Sequence, residues 1–223
     1  LPAGARAVVP RADVHVAANR TVRDQDPTAH AEVLAIRADW LDDALRLFTT
    51  VRDEPNRVAV LIVAGHVARE GDRIADAVSA FETAAARATE LDDEPAEVAA
   101  RASAGLAALD QGDSDTAETY LRRVDELLAV GGLPPWFAGR ELADMLAVRV
   151  AAGVGHTGLA TERFEQALSL AEPNDAFGAA RLVAELAPML AATGVRTVAA
   201  TIERVRYAAI ASGFDRLVRK LSA

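Results

Sequence analysis

The sequence predicts an all-α chain: a right-handed superhelix of antiparallel helix pairs, preceded by a short extended or β-hairpin-like arm. Three observations carry this expectation. Of the 223 residues, 51 are alanine and 23 are arginine, with Lys220 the single lysine and only ten aromatics in all. Ala, Leu, Glu and Arg favour the helix, and alanine lets helices approach closely. Helical stretches alternate with Gly, Asp and Pro punctuation along most of the chain, and one spacing of small and large apolar residues recurs.

Composition also sets functional limits. There is no cysteine, which removes disulfide scaffolds, thiol nucleophiles and thiolate-bound zinc. A net charge of −9 and a pI near 5.0 disfavour a non-specific binder of nucleic acid or anionic membrane. Half of the chain is apolar, too much for a disordered segment. No apolar run is long enough to span a bilayer, and no leader of signal-peptide type is visible. The chain is therefore read as cytoplasmic.

The elements follow in order. Residues 1–26 form the arm: Ala7-Val8-Val9 and Val14-His15-Val16 lean towards β, and 19–26 is a polar loop. Asp26-Pro27 pairs an N-cap with proline at the first helical position, so the helical domain covers 27–223. The spacing predicts helices over 27–38, 40–52, 56–70, 73–91, 95–111, 114–130, 135–152, 157–171, 175–192, 196–211 and 213–222. Breaks such as Asp53-Glu54-Pro55, Gly71-Asp72, Gly112-Asp113 and Gly153-Val154-Gly155 are short, which implies antiparallel neighbours.

The recurring spacing reads Ala44-x3-Phe48-x2-Val51, Ala77-x3-Phe81-x2-Ala84, Ala117-x3-Leu121-x2-Val124 and Ala160-x3-Phe164-x2-Ala167. Offsets of i, i+4 and i+7 share one helical face. A fifth unit, Gly194 with Ala199, keeps the spacing without the aromatic. The key alanines are 33, 40, 43 and 39 residues apart. At these residues the chain resembles the tetratricopeptide repeat (TPR) family. The resemblance implies an α-solenoid of helix pairs that binds a protein or peptide partner without catalysis, as in the helical-repeat arms of bacterial regulatory or signalling proteins.

A second motif precedes the repeats. Asn19-Arg20 is followed by Asp26-Pro27-Thr28-Ala29-His30-Ala31-Glu32. Residues 2–37 resemble the N-terminal part of the cytidine, guanine and tRNA-adenosine deaminase superfamily. That resemblance implies His30 as a zinc ligand, Glu32 as the proton shuttle and Asn19 as a contact to the base. The chemistry needs two further thiolate ligands, and this chain has none. The expectation is no enzyme and no cofactor, with zinc only if the segment is a truncated deaminase. Read as structure alone, 27–38 is the first helix of the first pair, Asp39-Trp40 its turn and 40–52 its second helix. His30 and Glu32 then point about 200° apart on that helix.

In a solenoid of helix pairs, the first helix of each pair lines the concave groove. The Ala and Gly landmarks place Leu61, Arg69, Leu106, Asp110, Leu142, Met145, Arg149 and Arg181 on that face. Such a groove suits an extended peptide or a partner helix. Trp136-Phe137, after Pro134-Pro135, reads either as a core anchor or as an exposed contact.

Overall fold

The computed structural model describes residues 27–130, 132–192, 203–205, 207 and 210. The arm at 1–26 and the unit built on Gly194 and Ala199 lie outside the described residues. Among the described residues eight long helices follow one another: α1 Pro27–Val51, α2 Glu54–Glu70, α3 Ile74–Glu90, α4 Glu94–Asp110, α5 Ser114–Ala129, α6 Arg140–Gly153, α7 Thr157–Asn174 and α8 Ala176–Ala192. Successive helices pack side by side. In addition, α4 packs on both α2 and α6, and α6 packs on α8, whereas the described residues of α3, α5 and α7 do not touch one another. The even-numbered helices thus form a continuous inner layer and the odd-numbered ones an outer layer.

Five of the turns share one construction. The residue before the N-cap is left-handed, with φ of 55° at Arg52, 58° at Asp72, 54° at Asp92, 79° at Gly112 and 80° at Gly155. The next residue donates its N–H to a carbonyl five positions back: Asp53 to Phe48, Arg73 to Ala68, Asp93 to Ala88, Asp113 to Ala108 and His156 to Ala151, all at 2.9–3.0 Å. This closes the end of each helix. In three of these turns an aspartate opens the next helix. Asp53, Asp93 and Asp113 accept from the N–H of Asn56, Ala96 and Thr116. At Gly71-Asp72 the left-handed residue is the aspartate and not the glycine. Backbone strain is therefore unevenly distributed. Asp92→Gly should stabilise the fold and Gly112→Ala, whose added Cβ would touch nothing, should destabilise it, each by about 1 kcal/mol. Chemical denaturation of the two variants checks the opposite signs.

Beyond the first unit the motif residues pack largely as their spacing implies, Leu121 only in part. Ala77, Phe81 and Ala84 are fully buried, and so are Ala117, Val124 and Ala160, with Phe164 nearly so. Gly65 on α2 faces Phe81 so closely that a Cβ there would overlap the ring, and a Cβ at Gly105 would fall 2.7 Å from Leu146. Small residues on the inner helices thus receive the large ones of their neighbours. α4, touched from four sides, buries eleven of its seventeen residues.

Two boundaries differ from the sequence expectation. Residues 27–38 and 40–52 form one continuous helix and not a hairpin, because Ala38-Asp39-Trp40 contains no Gly or Pro and no left-handed residue to end a helix. The helix expected from 135 begins instead at Arg140. Pro134-Pro135 and Gly139, with φ of 95°, keep the preceding segment out of the helix. That segment tucks Phe137 into the core with Trp136 packed against it, which settles this pair as an anchor. No helix among the described residues is long and apolar enough to cross a membrane.

Candidate interaction groove

The inner helices carry a ladder of charge that spans successive repeats. Arg69 near the end of α2 donates through Nε to Asp110 Oδ2 at 2.6 Å. Arg149 on α6 donates through Nη2 to the other oxygen of Asp110 at 2.9 Å. Arg181 on α8 reaches Glu141 on α6, with Nη1 to Oε1 at 3.4 Å. Each of these arginine side chains is 21–27% exposed, and its guanidinium has N–H groups beyond the one in its ion pair. Burial raises the Asp110 pKa, but the hydrogen bonds and charges of Arg69 and Arg149 outweigh it. The net position is below the usual carboxylate range.

Beside this ladder lies a histidine. The His66 ring meets Phe81 edge-on, with centroids 5.0 Å apart, and its Nε2 is 3.4 Å from the hydroxyl of fully buried Ser103. Burial, with the positive charges of Arg181 and Arg69, pushes the His66 pKa down to about 4. The ring is therefore neutral at pH 7. Arg69 on α2 and Arg181 on α8 thus both bear on this one ring.

Of the eight residues expected to line the groove, the four charged ones do form this array. The four apolar ones do not line it. Leu106, Leu142 and Met145 lie in the main core, and Leu61 packs on the cluster formed by Val58, Ala84, Ala85, Ala88 and Ala100. The physical reason is the closeness of the inner helices. Ala99, Ala102 and Gly105 on α4 admit the next helix, so apolar side chains at the seam are consumed between helices. Glu141, His66 and Ser103 escaped the sequence reading. The separations of 41, 39 and 40 residues in the Arg–Asp and Arg–Glu pairs match the repeat interval and could have revealed Glu141.

The deaminase-like residues are placed only in part. His30 and Glu32 fall in the first turns of α1, and Asn19 lies outside the described residues.

Two cavities of about 230 Å³ open instead between outer helices. One sits among α3, α4 and α5, lined by Glu82, Arg101 and Tyr120; its counterpart among α5, α6 and α7 is lined by Asp125, Arg140, Asp144 and Arg163. Their ion pairs are inverted. Arg101 donates to Glu97 on α4, whereas on α6 Arg140 donates to Asp144. Burial raises the Asp144 pKa despite Arg140.

No family model and no curated protein sequence matches the chain. Solved structures do. The nearly identical TPR-like repeats of a kinesin light chain from Podosopora anserina superpose with a TM-score of 0.53, at 18% identity over 91% of this chain and 95% of that one. A point-substituted form of the same repeats gives a TM-score of 0.55 at the same identity and coverage. The chain has a TPR-like fold. At that identity the likeness speaks for the helical solenoid alone, in agreement with the four Ala-x3-Phe/Leu units.

Proposed function

We propose that this TPR-like domain is a non-enzymatic interaction module that captures an extended, acidic segment of a partner protein on its inner helices. The supporting observation is the ladder of Arg69, Arg149 and Arg181. Three guanidiniums from three inner helices sit along one face with two carboxylates between them and with N–H donors to spare. A peptide laid across successive inner helices would exchange its carboxylates with Asp110 and Glu141, and the helix spacing would set the distance between its acidic positions. The repeat architecture fits an arm of a bacterial regulatory or signalling protein working in the cytoplasm, a role in keeping with the acidic, cysteine-free composition. On this reading the groove takes a protein or peptide and needs no cofactor.

An array of acidic and neutral peptides tests the reading. Wild-type protein should retain a subset rich in Asp and Glu. Each charge-assisted bond contributes roughly 1.5–3 kcal/mol, so Arg149→Ala and Arg181→Ala should each weaken retention about tenfold or more. Equal retention by the variants would exclude the groove as the binding face.

A further inference from the structure

We propose that α1 is a self-association element, through which the open end of the stack pairs with a second copy of this chain. In three units the motif helix is covered by the inner helix before it, and Ala77, Phe81, Ala160 and Phe164 are buried. The first unit is different. Ala44 and Phe48 are half-buried and Val51 is 59% exposed, beside Trp40 at 49% and Leu47 at 58%. The cause is the unbroken run of α1. Residues 27–39, which would serve as the missing inner helix if the chain turned at Asp39-Trp40, continue along the same axis. Among the described residues this face therefore lacks one helix, and the same element carries a spare one.

Register identifies the partner as a second copy. Val33, Ile36, Trp40, Ala44 and Leu47 are spaced by 3, 4, 4 and 3 residues, a pattern that reads the same in both directions. At 3.6 residues per turn all five positions fall within about 40° of Trp40. Two α1 helices laid antiparallel and crossing at Trp40 place Val33 opposite Leu47, Ile36 opposite Ala44 and Arg37 opposite Asp43. One two-fold operation satisfies every pairing twice, as an isologous dimer requires. Two apolar pairs, Val33 with Leu47 and Ile36 with Ala44, then flank the Trp40 crossing. The first half of each α1 then covers the motif face of the other, replacing the hairpin within one chain by its exchange between two.

Sedimentation of the purified chain up to about 100 μM should give twice the 23.4 kDa mass of one copy. Trp40→Glu with Leu47→Glu should yield a monomer of unchanged helix content, weakening association by at least about tenfold. The lack of native cysteine allows a second readout. On oxidation, a mixture of Val33→Cys chains and Leu47→Cys chains should give a cross-linked heterodimer through positions 33 and 47, while Leu47→Cys chains alone should not link. A wild-type monomer at the highest concentration, a dimer that survives the double glutamate change, or linkage between two copies of position 47 would each overturn the proposal. So would an internal 33–47 disulfide in a chain carrying both cysteines, because the hairpin would then close on itself.

Discussion

Phe81→Ala should lower the free energy of unfolding by about 3–5 kcal/mol, the range for removing a fully buried aromatic side chain. Phe81 has no exposed surface and fills the space that Gly65 leaves open, with His66 against its edge. The neighbours are held by their own helices, so the cavity would collapse only in part. The first motif unit supplies an internal control. Phe48 occupies the equivalent position but is half-buried, and Phe48→Ala should cost less than half as much. Gly65→Ala should also destabilise, because its methyl group would overlap the Phe81 ring. Combined with Phe81→Leu it should cost less than the sum of the two changes, as expected for residues in direct contact. Urea titrations of these variants give the values. A Phe81→Ala loss below about 1 kcal/mol would contradict the packing described for this unit.

The second large effect concerns pH. Between pH 7 and pH 5 the wild-type chain should lose up to about 2 kcal/mol of stability relative to a His66→Gln variant. The sign follows from linkage. Burial, then the charges of Arg181 and Arg69, hold the folded-state pKa of His66 down to about 4, below its ordinary value of 6.5. As pH falls past 6.5 the unfolded chain takes up a proton that the folded chain refuses until about 4. Stability is therefore complete above the unfolded value, declines through this window at up to about 1.36 kcal/mol per pH unit, and levels off below it. Comparison with His66→Gln cancels the carboxylates, including Asp110, which titrates below its usual range, and Asp144, which titrates above it. Thermal or urea unfolding across that pH range measures the difference, and a constant difference would mean that His66 is as free to protonate in the fold as in water.

Much of the layer structure was legible in the sequence. Ala77, Phe81, Ala117, Ala160 and Phe164 announce their burial by spacing alone, because the i, i+4 and i+7 rule is a property of one helix and needs no partner. The turns were legible for the same local reason, at their Gly, Asp and Pro breaks, although the N-cap roles of Asp53, Asp93 and Asp113 were not. What the sequence concealed depends on relations between helices. Leu106, Leu142 and Met145 sit at positions that would face a groove in a loosely stacked solenoid, and only the closeness permitted by Ala102 and Gly105 turns them inward. Asp72 carries a left-handed backbone one residue after a glycine better suited to it, since the turn register is fixed by the helix end and not by residue preference. The unbroken α1 arises where two helical patterns abut with nothing between them to stop the first. Within the site, four of the ladder's five charges were found but Glu141 and the geometry were not, because two ion pairs that share one aspartate require three helices to be in place.

The two layers also differ in mechanics. Contact between neighbouring inner helices runs from α2 to α8, while the described residues of the outer helices α3, α5 and α7 are separate from one another. Each outer helix straddles one inner seam without meeting the next outer helix. Small rotations at each inner seam add along the length of the stack and change the width of the groove without separating any pair of outer helices. Asp110 bridges two such seams at once through Arg69 and Arg149. If the proposed function holds, a partner that draws those arginines away would loosen two joints together, and binding would change the curvature of the described helices.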